Sequence, residues 1–380
     1  MSQTSGVTFK IGLLGPTRIG KTSLVTALLA QSQILLAGSG VAMRTLGAAT
    51  EAKIARNRAE LDGDILAGEF QSTRYEGTLE PFTFTLRLDP GVPDSEINLE
   101  LLDFPGGWLV AGDRPPESGS DWDECWRFIM KSTVLLVPVD AALLMEAAQA
   151  EHKRELPRLL TIFEVEQVAR NWAIERNRKP HEPALVVFCP VKCESYFTDN
   201  GGRRNRSAQL LRQFREVYSD VIDAVRSEAA KATVLYAPVD TIGCVEIVDA
   251  TWPLEEGTQD RAFHAIYRIR QPARIRRVGV DDVMRALCQQ LVDGRRIVSV
   301  EQGEILTGQA EQARRYAERS EGFFRDIWLW ASRERAARQL AANSRSKDAE
   351  ETWRRVAALD DVLEKITAPD YGPRVHKLQG

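Results

Sequence analysis

The sequence predicts an α/β protein: a mostly parallel, doubly wound sheet with one antiparallel edge strand, plus a C-terminal helical hairpin. Three observations predict it. Strand-like apolar runs alternate with longer amphipathic ones up to about Val298, the pattern of βα units that build a parallel sheet. A glycine-rich stretch, GPTRIGKTSL from Gly15 to Leu24, joins the first strand-like run to the first helical one. Two adjacent strand-like runs, FTFTLRL and INLELLD, are joined only by DPGVPDSE; a link so rich in turn formers reads as a hairpin, which puts one antiparallel strand at the sheet edge.

In chain order, FKIGLLG is the first strand, and the run from Lys21 to Ala30 is the first helix. An insertion spans roughly Ala42 to Glu80. Its AATEAKIARNRAELDGDILAG is helical in character, and EFQSTRYEGTLEP is a polar loop. The hairpin follows. Then come a helix on Trp122–Trp126–Ile129, the strand TVLLVPVD, a helix on Leu159–Ile162–Val165–Val168–Trp172, the strand ALVVFCPV, a helix on Leu210–Phe214–Val217–Val221 and the strand TVLYAPV. The segment from Gly243 to Arg277 reads as a β-rich excursion with strands CVEIVDA and AFHAIYRIR, and VDDVMRALCQQLV reads as the last helix of a domain covering residues 1–298.

From Ser299 strand signals vanish. Leu306, Ala310, Ala313, Ala317, Phe324, Ile327 and Ala331 fall four and three apart, and Trp353, Val356, Leu359, Leu363 and Ile366 form a second run. Residues 299–380 therefore read as a helical hairpin. Two readings stand: packing on the main domain, or an arm that binds a protein partner. The bulky FFRDIWLW stretch favours the second.

The 380 residues carry a formal net charge of −4, which argues against nucleic-acid binding by bulk electrostatics. The opening MSQTSGVTFK has neither a basic n-region nor a long apolar core, and the longest apolar run is interrupted by Pro138 and Asp140. Cys125, Cys189, Cys193, Cys244 and Cys288 form no C-x-x-C pair, and the four histidines are scattered. The expectation is a cytoplasmic protein with no membrane span, no disulfide frame and no zinc site.

The chemistry concentrates in GPTRIGKTSL. Its spacing, G-x-x-x-x-G-K-[ST], between a strand and a helix makes a phosphate cradle, because loop and helix amides converge on one anion. This expects a P-loop NTPase in which Gly15, Pro16, Thr17, Arg18, Ile19, Gly20, Lys21, Thr22 and Ser23 contact a nucleotide. Lys21 would reach the β- and γ-phosphates, and the Thr22 hydroxyl would bind Mg²⁺. A second element is INLELLDFPGGW, where Asp103 ends an apolar strand and can hold Mg²⁺ through water. The following loop, GGWLVAGDRPPESGSDWDE, is long enough for a switch and equally readable as a surface loop.

Together these stretches resemble the TRAFAC class of P-loop GTPases over about the first three-quarters of the chain. LLDFPGGWL looks like the D-[YF]-P-G-x-W-L phrase of YcjX-like bacterial proteins, and PVKCESYF and APVDTIG look similar to the double-GTPase families of bacterial conflict systems. The resemblance implies that the Gly106 amide senses a γ-phosphate, that Thr78 (with Thr73 as competitor) closes over Mg²⁺, and that Lys192 and Glu194 stand in the [NT]-K-x-D position that reads guanine. Val191 and Glu194 depart from that pattern. The implied ligands are GTP or GDP with Mg²⁺, and ATP is the alternative. GPTRIGKT is also similar to the loop of the guanylate-binding proteins, which implies that Arg18 turns onto the phosphates in a nucleotide-dependent homodimer.

Four functions remain open at this point. They are a GTP-hydrolysing switch or assembly GTPase acting through a partner, a remodelling ATPase, a P-loop kinase and a non-hydrolysing nucleotide-binding module. A hairpin before the Asp103 strand favours the first.

Overall fold

The computed structural model describes residues 7–36, 42–67, 78–89, 97–179, 182–289 and 371–379. The first part of the chain folds as β1 (Val7–Leu13), α1 (Lys21–Leu36), β2 (Ala42–Thr45), α2 (Ala48–Ala67), β3 (Phe82–Asp89) and β4 (Ile97–Asp103). Next come α3 (Gly119–Lys131), β5 (Val134–Asp140), α4 (Ala141–Glu146), α5 (Ala150–Leu159), α6 (Ile162–Asn177) and β6 (Leu185–Val191). Then follow α7 (Ser207–Val217), α8 (Ser219–Glu228), β7 (Thr233–Tyr236), β8 (Val245–Thr251) and β9 (His264–Ile269). A helix over 280–289, α9, and β10 (His376–Gln379) complete the described elements.

β5, apolar up to its final Asp140, and β6, apolar throughout, are buried at every position, as strands covered on both faces must be. They lie inside an eight-stranded sheet of order β10-β7-β6-β5-β1-β4-β3-β2. The five central strands, β7 to β4 in that order, are mutually parallel. Alternation along each strand divides the core. Ile11, Leu136 and Val187 meet Leu24 and Leu28 of α1 and Val283 and Leu287 of α9. Leu135, Val137 and Phe188 meet Ile129 of α3, Trp172 of α6, Phe214 of α7 and Val221 of α8. Each large side chain so buried contributes about 1.5–3 kcal/mol, and the two helical layers make the fold a three-layer α/β sandwich.

Both central prolines sit where a ladder has ended. The last β1 partner of β5 is Leu136, two residues before Pro138. The last β7 partner of β6 is Phe188, two residues before Pro190. Each proline stays paired in the β5–β6 ladder, and its missing N–H falls on the side where the regular ladder has stopped.

The structure corrects several expectations. β3 is antiparallel to β4, but it is not the edge: β2, from the insertion, covers it. A second antiparallel strand, β10, closes the opposite edge on β7. Residues 376–379 therefore belong to the sheet and not to a helical arm, while the two helices expected between 299 and 370 lie outside the described residues. The run from Leu159 to Trp172 is broken by Thr161 in the left-handed region (φ 47°), so α6 begins only at Ile162. The run from Leu210 to Val221 is split at Tyr218, whose ring is buried against Phe188 and Phe214. The excursion from Gly243 is a two-stranded ribbon of β8 and β9. Among the described residues no helix is long and apolar enough to cross a membrane, and the five cysteines are buried and unbridged.

Candidate functional site

After β1 the chain turns to one side of the sheet through β4, then crosses back to β5 on the other side. The carboxyl ends of β1 and β5 therefore flank a topological switch point, where open α/β sheets bind ligands. A cavity of about 460 Å³ opens there. The glycine-rich loop from Pro16 to Thr22 lines one part of it, and Asp140 at the end of β5, Lys192 just after β6 and Thr241 in the loop after β7 line the part beyond, where Lys192 reaches back to Arg18 O.

The loop's shape follows from its backbone. Arg18 (φ 62°) and Gly20 (φ 108°) are both in the left-handed region, and such alternating handedness turns successive amides into one concavity. Glycine is needed at position 20, where a Cβ would meet Val191 Cγ2 at 3.2 Å in a conformation that L side chains rarely adopt. Arg18 accepts a comparable strain of about 1–2 kcal/mol without glycine's freedom. The second close approach is Gly106, where a Cβ would lie 2.1 Å from Thr17 N. Any side chain at 106 would push the β4 loop off the glycine-rich loop.

Lys21 is 6% exposed. Its Nζ donates to Gly15 O at 2.8 Å and Pro16 O at 3.1 Å, and it lies 5.7 Å from the Phe104 ring centre. Burial pushes its pKa down to about 8, and the neighbouring Asp103 carboxylate opposes the shift.

Beside it three oxygen-bearing residues converge from separate elements. The Thr22 hydroxyl donates to Asp103 Oδ2 at 3.1 Å, the Thr78 hydroxyl donates to the same oxygen at 2.7 Å, and the two hydroxyls lie 3.4 Å apart. Asp103 is fully buried, and its Oδ1 has no hydrogen-bond partner among the described residues. Two hydroxyls and a carboxylate with an uncommitted oxygen are a hard-oxygen set that suits Mg²⁺. The remaining ligands of such an ion would be phosphate and water. Thr78 is the threonine brought to Asp103; Thr73 lies outside the described residues.

The segment after Asp103 is folded against the domain. Gly106–Leu109, Ala111–Asp113 and Pro116–Ser118 are short 3₁₀ turns, and Trp108 and Leu109 are buried. Arg114 Nε donates to Trp108 O at 2.6 Å, and its guanidinium stacks 4.0 Å from the Trp122 ring centre. Gly107 and the buried Trp108 carry no side-chain carboxamide or carboxylate.

At the far end, the sequence-predicted pair Lys192 and Glu194 separates. Lys192 lines the cavity. It is held in the left-handed region (φ 57°), pairs with Asp140 Oδ2 and donates to Arg18 O at 3.2 Å. Glu194 is not brought into the cavity. It is 4% exposed, and its Oε1 accepts from Ile242 N at 3.4 Å and Gly243 N at 3.2 Å. Burial and the Asp240 carboxylate push its pKa up. The physical reason is length and direction: one methylene beyond aspartate, its carboxylate reaches the backbone of the 240–243 turn.

The sequence reading missed Asp140, Lys53 and the docking of the ribbon on the cavity. Asp140 lies in the cavity wall, where its Oδ1 also accepts from Leu143 N at 2.9 Å and caps α4. Its place at the carboxyl end of a strand beside the switch point was the available signal. Lys53, on the insertion helix α2, sits 4.3 Å from the Phe82 ring centre. Burial lowers its pKa, and Asp103 is the first charge opposing that shift. Phe263, His264 and Tyr267 of the ribbon wall the far end opposite the apolar Leu159 and Leu160. Nothing local in the sequence says where the ribbon docks. Arg158, which donates to Arg261 O at 2.7 Å, and Arg261, which pairs with Glu151 at 2.6 Å, tie it to α5. No protein-family model and no curated protein matches this sequence.

Proposed function

We propose that this protein binds a Mg²⁺–nucleoside triphosphate in the cleft as a P-loop NTPase of GTPase layout and hydrolyses it slowly, as a switch acting through a partner protein. The observation that carries the proposal is the meeting of the Thr22 and Thr78 hydroxyls on Asp103 Oδ2, beside an Oδ1 that has no partner among the described residues. These residues come from the helix start after the loop, the insertion and the end of β4, so three separate segments bring oxygens to one buried acid.

The roles of the residues follow from position. The amides of the 15–22 loop take the phosphates, Lys21 supplies the fixed positive charge, and the Gly106 backbone closes on the terminal phosphate from the β4 side. Thr22 and Thr78 would ligate Mg²⁺ directly and Asp103 through water; when bound, the ion neutralises charge between the outer phosphates. Because Gly107 and Trp108 offer no side-chain carboxamide to orient water, turnover by an isolated molecule is slow. The withdrawal of Glu194 from the cleft favours one second reading, in which the base is not chosen by a guanine-reading carboxylate and ATP competes with GTP.

The test is calorimetric titration of GTP and ATP, with and without Mg²⁺, on the unmutated protein and on Asp103→Asn. The expected result is tight binding that weakens without Mg²⁺, and an Asp103→Asn variant that has lost most of that dependence. The net cost should be about 1.5–3 kcal/mol, as for a charged hydrogen-bond partner. Affinity indifferent to Mg²⁺ in the unmutated protein would overturn the metal-site reading, and binding of neither triphosphate would overturn the function.

A further inference from the structure

The far end of the cleft stands on two loops, residues 192–200 after β6 and 240–243 after β7, and both rest on one buried carboxylate. Asp240 is fully buried. Its Oδ1 accepts from Cys193 Sγ at 3.2 Å, and its Oδ2 accepts from Asn200 Nδ2 at 2.9 Å and Arg374 Nη2 at 2.8 Å. Arg374 is itself 5% exposed. Its Nε donates to Asp199 Oδ2 at 2.8 Å, its Nη2 also reaches Asp199 Oδ1, and its guanidinium lies 4.0 Å from the Phe197 ring centre.

This arginine comes from far along the chain. Gly372 N donates to Asp282 Oδ1 of α9 at 3.1 Å, and β10 pairs with β7 through His376↔Tyr236 and Lys377↔Leu235. Backbone bonds hold the 240–243 turn on its other side, with Arg276 N donating to Ile242 O at 2.9 Å and Arg277 Nε to Thr241 O at 3.2 Å. What Arg374 adds is charge. Asp240 and Glu194 are two buried carboxylates whose side chains stand in adjoining parts of one network. Without a cation one of them must take a proton or move.

We propose that Arg374 is a positioning residue for the nucleoside end of the cleft. It braces the loops that present Lys192 and Thr241, and it makes nucleoside recognition depend on the return of the chain after residue 370. It does not line the cavity itself. The proposal rests on the nucleotide reading above, and the choice of ligands separates the two. Inorganic tripolyphosphate fills only the phosphate end, whereas a nucleoside triphosphate needs both ends.

The experiment titrates GTP, ATP and tripolyphosphate, each with Mg²⁺, into the full chain and into Arg374→Gln, Arg374→Lys and Asp199→Asn. Arg374→Gln should weaken the better-binding nucleotide about ten- to hundredfold, the range of a coupling between sites. Tripolyphosphate should stay within about twofold, as for independent sites. Arg374→Lys should recover part of the loss, and Asp199→Asn should show a smaller loss in the same direction. If Arg374→Gln does not fold, Asp199→Asn carries the test, since the Asp199 side chain is 46% exposed. Equal losses for both ligands, or no loss for either, overturn the positioning role alone. An unmutated protein that binds neither ligand overturns the nucleotide reading and this proposal with it.

Discussion

Replacing Lys21 with methionine should make the ligand-free protein no less stable while removing its affinity for triphosphate. The side chain is 6% exposed, and its ammonium is satisfied by two loop carbonyls at 2.8 and 3.1 Å. Burial has lowered its pKa from 10.5 to about 8. A drop of that size corresponds to a penalty on the charged form on the order of 3 kcal/mol at neutral pH. Methionine keeps the length of the stem and carries no charge, so urea denaturation at pH 7 should show a stability equal to the unmutated protein or up to about 3 kcal/mol higher. The sign with pH follows from proton counting. Between pH 8 and 10.5 the unfolded chain holds the Lys21 proton and the folded chain does not, so this group's contribution to stability rises with pH. Below pH 8 the penalty is complete. The difference between the unmutated protein and Lys21→Met isolates this term from the other lysines and tyrosines. A bound polyphosphate restores the ammonium's partner, so binding near pH 8–9 should take up a proton, visible as a calorimetric heat that varies with the buffer's ionisation enthalpy. The reasoning is refuted if Lys21→Met is less stable by more than about 1 kcal/mol, a typical lost hydrogen bond, or if it still binds triphosphate tightly.

Two further perturbations probe the ends of the cleft. Asp140→Asn removes the partner of Lys192 and should cost nucleoside triphosphates about 1.5–3 kcal/mol of affinity. Glu194→Gln keeps an acceptor for Ile242 N and Gly243 N and should leave the GTP-to-ATP affinity ratio within about twofold; a collapse of that ratio would return Glu194 to the base. Arg18, exposed and held at φ 62°, is free to reach a facing copy. Specific activity should therefore rise with protein concentration, and Arg18→Ala should remove most of a gain that ranges over about 10³–10⁵ for such arginines. Arg18→Gly, which suits the left-handed backbone, is the control for strain, and activity independent of concentration in all three proteins would leave Arg18 without this role.

Local physics made much of the fold legible. Short apolar runs rich in β-branched residues and bounded by turn formers suit doubly covered strands, so β5 and β6 were readable. The glycine-rich spacing fixed the loop between β1 and α1, because only certain residues tolerate its backbone. The turn-rich link fixed the β3–β4 hairpin. Asp103 and Lys21 were readable because their neighbours in sequence place them at the strand end and helix start. Other features depended on partners distant in the chain. The four-residue strands β2 and β10 are too short to show a period and exist because β3 and β7 offer open edges. The choice of Thr78, the withdrawal of Glu194 onto the 240–243 turn and the entry of Asp140 into the cleft each follow from a side chain's direction once the sheet is built. Arg374 shows the same limit most clearly. An arginine near the end of the sequence carries no local sign of burial, and only tertiary packing brings it to Asp240, because an isolated buried carboxylate is unstable until a charge from elsewhere reaches it.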